Sequence, residues 1–127
     1  MTAASTILLV EDDHLLRDAF RLLLEEAGYR VREAATASAA IESASTSTPS
    51  LILLDLGLPD RPGLDVVRAL RSRDATRDTP IIALTGRAGA EEERACLEAG
   101  CTHFFSKPLE PKVLLRELPS FLDESPV

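Results

Sequence analysis

Three carboxylates, one hydroxyl and one ammonium stand out in this chain: Glu11, Asp12, Asp55, Thr85 and Lys107. Carboxylates gathered in one place push one another's pKa upward, and the cheapest relief is a cation. An all-oxygen ligand set of high charge suits a hard divalent ion such as Mg²⁺, which takes few protein carboxylates and keeps its other positions for water or phosphate oxygens. Thr85 offers such a phosphate a hydroxyl donor and Lys107 a compact positive charge. Asp55, the central carboxylate, could then attack phosphorus to give an aspartyl phosphate, a transfer that needs mainly positioning and charge stabilisation. Twelve of the fourteen basic residues are arginine and only Lys107 and Lys112 are lysine, so Lys107 is conspicuous in this sequence.

Each of these residues follows a short apolar run: ILLV precedes Glu11 and Asp12, LILL precedes Asp55, IIAL precedes Thr85, and FFS precedes Lys107. Apolar runs at 7–10, 29–34, 51–54, 80–84 and 103–106 alternate with stretches of helical period, the pattern of strand-helix units and a parallel sheet. The expected fold class is α/β: a single doubly wound (βα)5 domain over residues 1–127, flavodoxin-like, with an ordered core over about 5–122 and short tails. Its five-stranded parallel sheet would run in the order 2-1-3-4-5 with helices on both faces. In such a sheet ligands bind beyond the carboxyl ends of the strands, where strand order reverses. Here that crevice lies between strands one and three, so Glu11, Asp12 and Asp55 should meet within a few ångströms.

The helices carry their own signals. In the first, Leu15, Ala19, Leu22 and Leu23, with Leu16 and Phe20 beside them, form an apolar face while Arg17, Arg21 and Glu25 point away. It stops at Gly28, and the same Glu-Ala-Gly tripeptide closes the fourth helix at 98–100, each glycine free to turn left-handed. Thr36 caps a second helix over 37–45. The third, from Leu64 to about Ser72, sets Leu64, Val67 and Leu70 inward, and Asp74 to Pro80 form a polar link. Glu91 to Glu93 supply an acidic first turn to the fourth. Pro111 opens the last helix, Pro119 should kink or end it, and 123–127 should fray.

Composition narrows the function classes. A net charge of −7 argues against direct nucleic-acid binding, which draws on clustered positive charge. No apolar stretch approaches the roughly 18 residues of a membrane span and the N-terminus has no leader pattern, so the expectation is a cytoplasmic protein without membrane insertion. Cys96 and Cys101 are too few for a disulfide framework and read as reduced core thiols. With His103 they make three of the four ligands a zinc site needs, which is weak support for one.

ILLVEDD, LILLDLGLPDRPG, IIALTG and FFSKP, in this order and at this spacing, resemble the motifs of the response-regulator receiver domain over nearly the whole chain. The resemblance implies a phosphorelay signalling module, not an enzyme with its own substrate. It makes Asp55 the phosphoacceptor, Glu11 and Asp12 the acidic pair for Mg²⁺, and the backbone carbonyl of Gly57 the remaining protein ligand. It puts Thr85 and Lys107 on the phosphoryl group, with Gly86 leaving room for it. Phe104 becomes the aromatic that changes position with Thr85; taken alone it reads as packing. The resemblance also implies a cis peptide between Lys107 and Pro108, and a histidine kinase or histidine phosphotransfer protein as phosphodonor. Two positions depart from the family pattern, Gly57 and Arg87, which in receivers tune the lifetime of the phosphate. Pro119 departs too, in the helix receivers often use for partners.

Each residue singly has an ordinary explanation: Asp12 or Asp13 as a helix cap, Asp55 as a turn former, Thr85 as a loop hydroxyl, Lys107 as a solvated charge. Their joint position at four strand ends favours the site. Among function classes, the resemblance leaves a receiver that acts alone by binding or one cut from a larger response regulator or hybrid histidine kinase. A phosphohydrolase with an aspartate nucleophile lacks the second acid at position 57, and an inert receiver-like scaffold sits poorly with every landmark present.

Overall fold

The computed structural model describes residues 5–86 and 89–122. Five strands, β1 (Thr6–Val10), β2 (Arg30–Ala34), β3 (Leu51–Asp55), β4 (Ile81–Thr85) and β5 (His103–Ser106), alternate with five helices, α1 (His14–Glu26), α2 (Ala37–Thr46), α3 (Gly63–Arg71), α4 (Ala90–Ala99) and α5 (Pro111–Phe121). The strands form one parallel sheet, as the alternation of periods predicts, in the order β2-β1-β3-β4-β5 expected of a flavodoxin-like domain. Frayed ends at 123–127 and any role of Arg87 lie outside the described residues.

The central strands β1, β3 and β4 are nearly continuous apolar runs because both faces of the sheet are covered there, whereas the edge strand β2, RVREA, carries three charged residues. Leu8, Val10, Ile52, Leu54, Ile81 and Ala83 point to the side of α2 and α3, while Ile7, Leu9, Leu51, Leu53, Ile82 and Leu84 point to the side of α1 and α5. All are buried, so β1, β3 and β4 stand as a rigid centre whose carboxyl ends are held in register. Ala37, Ala40 and Ala44 are the buried residues of α2, a face of small side chains.

Both Glu-Ala-Gly stops adopt the same left-handed turn, with φ of 100° at Gly28 and 114° at Gly100. Tyr29 N–H returns to the Leu24 carbonyl and Cys101 N–H to that of Cys96, closing each helix with a six-residue bond. This motif places an apolar pair across the turn, which gives Cys96 and Cys101 their packing role. Burial pushes the Cys101 thiol up to about 12 and raises Cys96 as well, as expected of inert core thiols.

Two expectations need correction and a third is extended. Leu15 and Leu22 of α1 are 70% and 56% exposed, and Leu16 is exposed too, whereas Leu24 is fully buried. The inward stripe is Arg17, Phe20, Arg21 and Leu24, spaced i, i+3, i+4 and i+7. Arg17 and Arg21 turn toward β2 and close on Glu33 at 3.3 Å and 2.6 Å, which rotates the leucines outward. In α3, Val67 and Leu70 are buried and Leu64 packs against the core in part, as expected, but Val66 is fully buried too, beyond the three residues the period sets inward. Pro119 does not end α5, which continues to Phe121. A proline this close to the terminus costs one hydrogen bond of the last turn, and Leu118, packed in the core, holds that turn in place.

Candidate functional site

The first arm of the site is the turn from β1 into α1. Glu11 is 2% exposed, while Asp12 points out to solvent. Asp13 caps α1, its carboxylate accepting from the Leu15 and Leu16 N–H groups, so the cap falls to Asp13 and leaves Asp12 available. Asp13 N–H donates to Glu11 Oε2 at 3.2 Å, and Arg17 donates to the Glu11 carbonyl at 2.9 Å. The turn is therefore held on both its backbone and its side chain.

The second arm is the end of β3. Asp55 is 5% exposed, and its Oδ1 accepts from Gly57 N–H at 3.1 Å. Leu56 N–H bonds the Leu84 carbonyl at 2.9 Å, extending the β3–β4 ladder by one residue and fixing where the loop departs. That loop, 56–62, ends where Gly63 packs against Leu56, with Gly63 N–H on the Leu56 carbonyl at 3.1 Å.

From the other side come β4 and β5. Thr85 is 3% exposed, and its carbonyl accepts from Lys107 N–H at 2.7 Å. The Lys107–Pro108 peptide is cis. Lys107 Nζ lies 3.1 Å from Asp55 Oδ1 and 3.4 Å from Glu11 Oε1. Phe104 pairs in register with Ala83, two residues from Thr85 on the same face of the sheet, and packs on the α2–α3 side of the core. Asp55, Gly57, Thr85, Gly86 and Lys107 line an open cleft of about 710 Å³, together with Glu92 from the first turn of α4.

Glu11, Asp12 and Asp55 each offer an oxygen within 4.8 Å of the others; among the described residues these are the acidic side chains grouped closely enough to share a metal ion. Cys96, Cys101 and His103 form no such group. Burial, then hydrogen bonding and repulsion from Asp55, raise the Glu11 carboxyl to about 7, against the smaller opposing pull of Asp13 N–H and Lys107. For Lys107, burial lowers the ammonium's pKa, but Asp55 and Glu11 more than offset it and the net shift is upward. The cluster carries more negative charge than one lysine can balance, which fits a divalent cation.

This has a consequence for stability in chelator. The folded Glu11 carboxyl binds its proton more tightly than the unfolded one, whose pKa is 4.5, so its favourable contribution is complete below that pH and lost as pH rises through about 7. Glu11→Gln should remove this downward trend between pH 5 and 8, measured by urea unfolding; an unchanged trend would count against the raised pKa.

The structure thus brings together Glu11, Asp12, Asp55, Gly57, Thr85 and Lys107, with Phe104 one layer away. Sequence reasoning missed Arg17, which steadies the Glu11 backbone, and Glu92, which reaches the cleft wall. Arg17 reads as an outward helix residue in sequence, and Glu92 is one of three consecutive glutamates with no signal to single it out.

The model of the response regulator receiver domain matches residues 7–118. The chain is 40% identical over 104 residues to the KDP operon transcriptional regulatory protein KdpE of Escherichia coli, covering 82% of this chain and 45% of KdpE. It is 32% identical over 120 residues to the polar-differentiation response regulator DivK of Brucella anthropi, covering 94% of this chain and 98% of DivK. The chain thus spans about half the length of KdpE and nearly all of DivK. Among solved structures, the receiver domain of the sensor histidine kinase PA1611 from Pseudomonas aeruginosa superposes with a TM-score of 0.88 at 34% identity, covering 95% of this chain and 99% of that one; it holds a magnesium ion coordinated in its active site cleft. Strand order, site position and these matches agree: the chain belongs to the response regulator receiver domain family, the signalling receivers of two-component systems.

Proposed function

We propose that this protein is a phosphoacceptor whose Asp55 receives a phosphoryl group from a histidine kinase or a histidine phosphotransfer protein, with Mg²⁺ as the required ion. The observation that supports this most is the meeting of three carboxylates within 4.8 Å beside a lysine that touches two of them. Glu11, Asp12, Asp55 and the Gly57 carbonyl would hold the ion. When bound, it supplies positive charge opposite Lys107, so phosphoryl oxygens entering the cleft meet charge neutralisation from two sides.

The chain's own residues do the rest. Gly57 N–H and Lys107 both hold Asp55 Oδ1 and so orient the carboxylate. An Asp55 oxygen forms the new bond to phosphorus while the donor's P–N bond breaks, its electron pair returning to the imidazole nitrogen. Thr85 donates its hydroxyl and Lys107 its ammonium to the transferred group. Thr85 drawn toward the phosphate opens space that Phe104 can fill, and this shift at the β4–β5 face alters affinity for a protein partner.

The test is intact mass after incubation with acetyl phosphate and Mg²⁺, beside a chelated control. A phosphoryl adduct that depends on metal is the expected result. A folded protein that binds neither a phosphoryl group nor its analogue beryllofluoride would overturn the reading.

A further inference from the structure

The loop 56–62 carries the Gly57 carbonyl and joins Asp55 to α3, so whatever fixes its tip fixes one wall of the site. At that tip stands Asp60. Its Oδ1 accepts from Ala37 N–H at 2.8 Å and its Oδ2 from Ser38 N–H at 3.1 Å. These are the first two amides of α2, which have no partner within their own helix. The helix cap proper, Thr36, takes a different amide, Ala39 N–H at 3.1 Å. Asp60 is therefore not duplicating the cap: it spends both carboxylate oxygens joining the β3–α3 loop to the start of α2, more than twenty residues away in sequence. The charge suits the helix N-terminus, and the two N–H bonds, with the Ser38 hydroxyl, hold the carboxyl below its usual range.

The two ends of the loop are secured by the Gly57 and Gly63 N–H bonds, and between them Leu58 packs in part against the core. Asp60 adds the directional bonds that tie the tip to a different element. A bidentate grip on two adjacent amides restrains both position and rotation of the tip, which a single bond would not.

We propose that Asp60 is a positioning residue for the phosphorylation site, tethering the 56–62 loop to α2 so that the Gly57 carbonyl and Asp55 are held ready for metal and phosphoryl group. The role rests on the phosphoacceptor reading above, but the tether itself can be observed without it. Residues that orient a metal's ligands typically change metal affinity by about tenfold or more when removed.

The experiment compares wild type, Asp60→Ala, Asp60→Asn and Thr36→Val. Thr36→Val weakens the same helix terminus without touching the loop. Amide hydrogen exchange over 56–62 in chelated protein reads the tether; Mg²⁺ titration calorimetry and the rate of acetyl-phosphate labelling read its effect on the site. Asp60→Ala should speed loop exchange and weaken both Mg²⁺ binding and labelling by about tenfold. Asp60→Asn, which keeps an acceptor oxygen, should recover part of each, and Thr36→Val should leave all three near wild type. If Asp60→Ala and Thr36→Val lose thermal stability alike while exchange, Mg²⁺ binding and labelling stay at wild-type values, Asp60 is only a second cap and the proposal fails. If wild type itself takes no phosphoryl group, the phosphoacceptor reading fails, and loop exchange alone then decides whether the tether exists.

Discussion

Asp55→Asn is expected to take up no phosphoryl group from acetyl phosphate, in the presence of Mg²⁺, over times at which wild type is fully labelled. The amide nitrogen is no nucleophile toward phosphorus, and the remaining amide oxygen carries no full negative charge to drive the attack or to bind the ion. The fold should survive. An asparagine oxygen can still accept from Gly57 N–H and from Lys107, the two contacts Asp55 Oδ1 makes, so no buried donor is abandoned. The variant also removes a negative charge beside Glu11, whose carboxyl is raised first by burial and then by hydrogen bonding and repulsion from Asp55. In chelator at pH 8 the variant should therefore unfold at equal or higher urea concentration than wild type. Intact mass and urea unfolding check the two halves separately. Labelling retained in the variant would place the acceptor elsewhere, whereas loss of both labelling and fold would leave the role of Asp55 to be read from Mg²⁺ binding by a folded substitute such as Asp55→Glu.

The second large effect falls on a residue with no functional group. At Gly63 an added Cβ would stand 2.5 Å from Leu56 Cα, 2.9 Å from its Cδ2 and 3.0 Å from its carbonyl oxygen. The first of these atoms is backbone, anchored by the Leu56 N–H bond to Leu84, so it cannot yield as a side-chain tip can. Gly63→Ala must push the start of α3 away from the end of β3. Overpacking of this kind costs roughly 3 kcal/mol, or on the order of 10 °C in Tm for a chain of this size. Because Leu56 lies between Asp55 and Gly57, the displacement passes directly into the site, and labelling should slow even where the protein remains folded. Gly57→Ala is the contrast: its Cβ would meet only Asp55 Oδ1, at an ordinary 3.8 Å, and thermal unfolding should change little. Equal Tm values for the two variants would contradict the close approach at Gly63.

These two results concern different properties of one short segment. In the proposed function Asp55 supplies the chemistry, and Gly63 lets the helix that follows come near enough to hold the loop above it. Asp60 ties this loop to the start of α2, and Arg17 on α1 holds the Glu11 carbonyl, so contacts from two further helices fasten the backbone beside the carboxylates.

Much of this was legible in the sequence because its causes are local. Apolar runs of four residues alternating with helical stretches are the pattern of buried parallel strands, and a polar residue after such a run then stands at a carboxyl end; Glu11, Asp55, Thr85 and Lys107 follow from that rule. The left-handed stops at Gly28 and Gly100 and the cap at Thr36 are equally local, each decided by residues within a turn. Tertiary structure alone decided the rest. The rotation of α1 turned on Glu33, on a neighbouring strand, pairing with Arg17 and Arg21 and so turning Leu15 and Leu22 to solvent, against their periodicity. The grip of Asp60 on α2, the hold of Arg17 on Glu11, the presence of Glu92 in the cleft and the contact of Gly63 with Leu56 all join atoms whose proximity depends on how helices dock. Hydrophobic period states that a helix has a buried face, but which atoms that face meets is set by packing and charge across elements, and these become determinate only once the whole sheet and its covering helices are in place.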